Sequence, residues 1–321
     1  MGLKITSTGS RLGSVRIDND EIQKICGVPQ EEILRKTGIV ARQYLDYPRE
    51  TLLDLSVSAT EKALEHNSTE VWDLVVCATF AHEMIYPSLA SRICSQLPIT
   101  VNEAVDLQSN CTGFLNALLI TNDKLLTDQN AQSAIVIAAE ANSYFMNPSD
   151  ANSVMFWGDG AAALTIHKDD SYRGGLLSRA HFANFESNSA VRLSWSKSQK
   201  QGEMQSSPIH QDGLATWRQA TSGLPKVIYT ALDNAGLDAS DIDYFIFHQA
   251  NLRMIEYLTV KLKLDPEKVP TNVERIGNTG AASIPILLDD LIRENKVQPG
   301  DRILFASVGA GFTFTAMVWE W

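Results

Sequence analysis

Short apolar runs alternate with runs of helical period along most of this chain, and that alternation limits the possible folds more than any single motif. "DLVVCATF" (73–80) reads as a buried strand and "SLASRICSQL" (88–97) as a helix. "AVDLQSN" (104–110) reads as a strand, "TGFLNALLITNDKLL" (112–126) as a helix, and "SAIVIAAEAN" (133–142) as a strand again. Parallel strands need crossover helices, and the crossovers cover both faces of the sheet. The rhythm therefore predicts an α/β protein with a mostly parallel, doubly covered sheet. "LKITSTGS" near the start reads as a first strand.

The pattern then repeats. Residues 211–235 form a long amphipathic helix with Pro225 as a point of bending. "YFIFHQA" (244–250) is a strand, "NLRMIEYLTVKLKL" (251–264) a helix that Asn251 can start, and "SIPILLDDLIREN" (283–295) another helix. "RILFASVG" and "TFTAMVWEW" are closing strands. The chain divides into halves at 1–170 and 171–321. Residues 170–210, rich in Ser, Gln, Asn and Lys, read as a linker or excursion. Each half offers a strand end that carries a reactive residue and leads into a helix: Cys111 in the first, His248 in the second. Ligands bind beyond the carboxyl ends of parallel strands, so halves joined face to face bring these two together.

Composition excludes several classes. The net charge of −11 lacks the basic footprint of nucleic-acid binding, so an acidic partner must dock on a local basic patch. The four cysteines form no C-x-x-C pair and have no histidine cluster nearby, so no zinc site is expected. No apolar stretch approaches 18 residues, and "MGLKITSTGSRLG" has no signal-peptide pattern. Reduced thiols in a cytoplasmic setting are the expectation. Gly2 and Thr6 make a weak myristoylation match, set aside because the segment reads as a strand.

Three side chains carry the candidate chemistry. Most free cysteines are small core hydrophobes, and Cys26, Cys77 and Cys94 fit that description inside apolar runs. Cys111 differs: it sits between "QSN" and "TGF" at a helix start. Free N–H groups there favour a thiolate and can hold an oxyanion. His248 stands where the apolar strand "IFHQAN" turns polar, a rim position more than a core one. Asn278, in "RIGNTGAASIP", is a turn residue whose loop leads straight into a helix. "WGDGAAALTI" lacks the spacing and lysine of a phosphate loop and reads as a tight turn opening a strand. "GAGF" (309–312) allows close backbone approach.

Taken together, "KTGIVARQ", "YPSLASRI", "NCTGF", "WGDGAAAL", "HQANLR", "GNTGAAS" and "GAGFTF" resemble, in order and over nearly the whole chain, the ketoacyl-ACP synthase III family of the thiolase superfamily. The resemblance implies a five-layered thiolase-like αβαβα fold of two similar halves, working as a homodimer. It implies that Cys111 is the acylated nucleophile and that His248 and Asn278 bind the extender thioester. It places the first oxyanion on the backbone N–H groups of Cys111 and Ala310. Tyr86 matches an aromatic residue reaching into the partner's acyl pocket, and Val308 lies where housekeeping members carry Phe beside the histidine. Arg253 and Arg218 match positions that dock the acidic acyl carrier protein, helped by Lys261 and Lys263. No metal or organic cofactor is implied; acyl and malonyl groups ride on the phosphopantetheine of carrier protein or CoA.

The implied reaction is acyl transfer to Cys111, then decarboxylative condensation with a malonyl thioester. An acyltransferase passing the acyl group to another acceptor would use Cys111 identically; retention of Asn278 favours condensation. A non-catalytic partner subunit of a heterodimer usually loses the cysteine, which this chain keeps. A papain-like amidase also uses Cys, His and Asn, but nothing else here resembles that family. The chain also departs from the family. Glu32 and Ala151 replace the Trp and Arg that sandwich the adenine of coenzyme A, and Lys36 replaces the Arg of "R-T-G-I". These departures imply weak CoA binding, an acyl donor carried on a protein or on a different pantetheine carrier, and a specialised pathway.

Overall fold

The computed structural model describes residues 2–65, 67–197 and 204–321. Its first sheet contains β1 (Gly2–Leu12), β2 (Val71–Ala78), β3 (Thr100–Leu107), β4 (Ser133–Ala141) and β5 (Asp159–Asp169), in the order β1-β5-β4-β2-β3. β2 pairs in parallel with β3 and β4, and β5 runs against both its neighbours. The second sheet contains β6 (Gly175–Ala183), β7 (Tyr244–Phe247), β8 (Arg302–Gly309) and β9 (Thr313–Glu320), in the order β7-β8-β9-β6. β7 and β8 are parallel, and β9 runs against both its neighbours. One strand opposes the rest in each sheet, so most strands share a direction, but four of the seven neighbouring pairs are antiparallel and the sheets are mixed, not mostly parallel as expected.

Side-chain alternation builds the layers. Leu74, Val76 and Ala78 of β2 face a central cluster with α4 (Gly113–Thr127) and α7 (Ser283–Arg293). Val75 and Cys77 face the opposite way, onto α2 (Leu52–Leu64) and α3 (Leu89–Cys94). In β8, Ile303 and Phe305 join the central cluster, while Leu304, Ala306 and Val308 pack against α5 (Gly213–Ala235) and α6 (Leu252–Lys261). The result is the αβαβα stack that the resemblance implies. Each fully buried aliphatic or aromatic side chain contributes about 1.5–3 kcal/mol to holding it. Helix α5 runs unbroken through Pro225, and Asn251 caps α6 by accepting the Arg253 N–H at 2.8 Å.

Two further expectations are corrected. Residues 175–183 are not linker but the edge strand β6, hydrogen-bonded along β9. "GLLSRAHFA" alternates buried and exposed positions, the signature of a half-covered edge that overall polarity conceals. The second concerns the repeat. The sheet orders align β1 with β6, β5 with β9, β4 with β8 and β2 with β7. His248, just past β7, therefore corresponds to the residues just past β2. The counterpart of Cys111 is Asn278: Cys111 lies within the 3₁₀ turn 110–112 and Asn278 just before the 3₁₀ turn 280–282, and each turn opens a central helix.

Candidate active site

The turn that carries Cys111 begins after β3. Asn110 adopts a left-handed φ of 49°, and the chain then enters the 3₁₀ turn and α4. The second half staples this turn in place. Ser307 Oγ donates to the Cys111 carbonyl at 2.7 Å, and Asn110 Nδ2 donates to the Ala310 carbonyl at 3.0 Å. Among the described residues, the N–H groups of Cys111 and Ala310 donate to no backbone carbonyl of the surrounding turns, the Cys111 N–H lies against its own thiol, and both residues line one cavity. Two free N–H groups beside a thiol are what an oxyanion requires.

Cys111 keeps partial contact with the cavity yet lies deep among protein atoms. Burial pushes its thiol up to about 12, Glu140 acts in the same direction, and the Cys111 N–H opposes them. From the ordinary value of 9.0, that disfavours the thiolate by about 4 kcal/mol. A helix terminus returns at most ~2 kcal/mol. Burial wins, so the resting side chain is a neutral thiol, and the thiolate expected from helix position alone is not the ground state.

His248 follows β7 and is buried, with Nδ1 2.7 Å from Ser283 Oγ. The same oxygen accepts the Gln249 N–H at 3.2 Å. That N–H can only donate, so the acceptor left for the Ser283 hydroxyl hydrogen is Nδ1. The imidazole hydrogen then sits on Nε2, which meets no acceptor among the described residues. Burial lowers the His248 pKa to about 4, so the ring is a neutral donor at pH 7.

Asn278 is oriented the same way. Its Oδ1 accepts the Gly280 N–H at 2.9 Å, which leaves the Nδ2 hydrogens for the cavity. Its backbone is clamped by residues 156–158: its N–H donates to the Phe156 carbonyl at 2.7 Å, and its carbonyl accepts the Gly158 N–H at 2.9 Å. Asn142 Nδ2 donates to the same carbonyl at 3.2 Å. A Cβ at Gly158 would lie 2.1 Å from the Ile276 carbonyl oxygen. The "WGDG" turn therefore opens β5 as expected, and it also holds the asparagine loop.

Cys111 stands where two cavities meet. A narrow one of about 100 Å³ holds His248, Asn278 and Val308, with Trp217, Asn251 and Met254 farther along. A wider one of about 400 Å³ is lined by Phe80, Trp157, Leu193 and Ile209. Val308, expected in the acyl pocket, lines the narrow cavity beside His248. Tyr86 is 83% exposed and lines neither cavity of its own protomer.

The cations expected to dock a carrier protein differ from one another. Arg253 donates to the carbonyls of Leu34 and Arg35 and pairs with Glu256, tying α6 to α1 (Gln30–Thr37). Lys261 donates to the Thr221 carbonyl, and Lys263 is exposed. Arg218 is exposed on α5 and makes no ion pair among the described residues. No cluster of three or more potential metal ligands occurs among the described residues, and no helix there is long and apolar enough to cross a membrane.

The sequence reading passed over Ser283, Ser307, Asn142 and Glu140. Glu140 carried a usable signal, since a charged residue inside an otherwise apolar strand asks for an explanation.

Comparison with known proteins adds an independent line. Residues 105–184 match the family described as 3-oxoacyl-[acyl-carrier-protein (ACP)] synthase III, and residues 232–321 match its C-terminal region. A β-ketoacyl-[acyl-carrier-protein] synthase III of Haemophilus ducreyi is 31% identical over 97% of both chains. The crystal structure of 3-oxoacyl-[acyl-carrier-protein] synthase III from Aquifex aeolicus superposes with TM-score 0.89 at 29% identity, covering all of both chains. The priming β-ketosynthase of the R1128 polyketide pathway superposes with TM-score 0.91 at 27% identity, covering 99% of this chain and 96% of that one.

Proposed function

The chain belongs to the 3-oxoacyl-[acyl-carrier-protein] synthase III family, and on that premise we propose how its own residues divide the reaction. The enzyme is an acyltransferase that condenses an acyl thioester with a malonyl thioester on acyl carrier protein. Cys111 Sγ attacks the acyl carbonyl, and the Cys111 and Ala310 N–H groups hold the oxyanion. The carrier thiol leaves and the acyl group rests on Cys111, directed into the wider cavity. The malonyl thioester then enters the narrow cavity and loses CO₂. The negative charge that develops on its carbonyl oxygen is met by His248 Nε2–H and Asn278 Nδ2–H, and both donors are neutral and already oriented. The resulting carbanion attacks the acyl-Cys carbonyl and forms the β-ketoacyl thioester, and the Cys111 thiolate it expels takes a proton from solvent to restore the thiol. The observation that carries this reading is that Cys111 shares one cavity with two oriented donors that lack protein partners.

The finer assignments are part of the proposal. Glu32 pairs with Lys36 at 2.6 Å on the surface of α1, and Ala151 is a small residue, so neither site can stack an adenine. The acyl donor is therefore carried on a protein, in a specialised pathway. Arg218 supplies the docking charge for the carrier, and two chains form the working unit.

Incubation with acyl-carrier proteins, acyl-CoAs and a labelled malonyl carrier tests the whole scheme. Acylation of Cys111 seen by intact mass and abolished in Cys111→Ala, together with CO₂ release, is the expected result. Acylation without CO₂ release would make it a plain acyltransferase. Saturation by acyl-CoA at low micromolar concentration would overturn the donor assignment.

A further inference from the structure

Glu140 is the one charged residue of β4 and is completely buried. It extends the row Ala134, Val136, Ala138, which faces the central helices, so its carboxyl lies beneath the catalytic turns. Among the described residues, no cation is among the groups that act most on it. Its Oε2 accepts the Phe80 N–H at 3.3 Å, and the Thr79 hydroxyl and the N–H groups of Ala81 and Ala281 also act on the carboxyl. One side chain thus joins the loop after β2 to the 280–282 turn that follows Asn278. Gly280, at φ +58°, lies so close that a Cβ there would sit 2.9 Å from Glu140 Cγ.

Three buried oxygens around this turn have no partner: Glu140 Oε1, Asn142 Oδ1 and Thr279 Oγ1. Asn142 already donates to the Asn278 carbonyl, and Thr279 is the next residue. Among the described residues Glu140 Oε1 itself accepts no hydrogen bond, so an anion there would be only partly stabilised by the donors around it. Burial acts in the same direction, pushing the carboxyl well above the usual carboxylate range.

We propose that Glu140 is a positioning residue for Asn278, working as a neutral carboxylic acid that ties the 280–282 turn to the loop at 79–81. The inference rests on the reading of Asn278 as a donor to the extender thioester. Cys77 and Cys111 are titratable side chains whose pKa an ionised Glu140 would raise further.

The test compares Glu140→Gln, which keeps the shape and a donor, with Glu140→Ala. Three quantities are read in each: acylation of Cys111, CO₂ release from a malonyl carrier, and amide hydrogen exchange at residues 280–282. Glu140→Gln should stay within about threefold of wild type in all three, while Glu140→Ala should lose about tenfold or more in CO₂ release, keep acylation within about threefold, and exchange faster at 280–282. Equal damage from Gln and Ala would mean that a charged carboxylate is needed, and would overturn the proposal. So would an unaffected Ala variant, or one that loses acylation and CO₂ release in parallel. If Glu140→Ala does not fold, the Gln variant decides alone: loss of CO₂ release sinks the idea, and retention at an unchanged exchange pattern supports it. If wild type releases no CO₂, the reading of Asn278 fails separately, and the exchange data still decide whether Glu140 holds the turn.

Discussion

At the scale of single residues, the site depends on neutral groups oriented in advance. His248 has its hydrogen set by Ser283, Asn278 has its amide set by Gly280, and Cys111 rests as a thiol. The thiol gives a direct prediction. With a titration near 12, the thiolate is only about one part in 10⁴ at pH 8 and grows tenfold per pH unit. Alkylation of Cys111 by iodoacetamide, followed by intact mass with Cys111→Ala as background, should therefore accelerate close to tenfold per pH unit from 7 to 10 without levelling off. A plateau at or below pH 8 would show a thiolate in the resting enzyme. Cys111, His248 and Asn278 were legible in the sequence because each reactive type stands at the end of an apolar run or in a glycine-rich turn before a helix. Ser283 gave no signal and Glu140 only its charge in an apolar strand, because their roles come from contacts across 35 residues of chain in one case and across two halves in the other. Periodicity reports which face a residue occupies, not which distant turn it meets there.

At the scale of elements, the strands and helices followed from period, and the errors fell where tertiary pairing outweighs local pattern. The strand read at 104–110 is 100–107, because Asn110 must turn left-handed to present Cys111. Strand 175–183 was hidden by its polar outer face. The equivalence of Cys111 with Asn278 needed the sheet order, which no single-strand pattern contains. The 156–158 turn illustrates the same dependence. Its glycine is required by the carbonyl of Ile276, a residue from the other half of the chain, not by any local conformation. Gly158→Ala forces that carbonyl and the Asn278 loop away, and it should cost about 3 kcal/mol by overpacking. It should also lower CO₂ release more than acylation, since the displaced loop carries Asn278 and not Cys111. Urea denaturation beside the two partial reactions checks this. A variant of unchanged stability would mean that residues 276–278 yield freely and are not clamped.

At the scale of the whole molecule, one protomer leaves two features unfinished on the same half. β3 is an edge of the first sheet, and only β2 pairs with it. Ile85 and Tyr86 project from the loop between β2 and α3, 85% and 83% exposed. Open strand edges invite pairing, and exposed apolar tips mark contact surfaces. A second copy docked across β3 would answer both at once. It would also bring a foreign Tyr86 toward the wider cavity beside Cys111, which its own Tyr86 does not line. Sedimentation velocity should accordingly find a dimer of the wild-type chain. Ile85→Glu places a charge in the contact and should give monomers that acylate Cys111 more slowly, because the acyl cavity then lacks a wall. Tyr86→Ala removes the ring without adding charge, so it should stay dimeric and change which acyl chain lengths are accepted. A monomeric wild type with full activity would remove the need for a second copy. Equal acyl preference in Tyr86→Ala would place the ring outside the pocket even in a dimer.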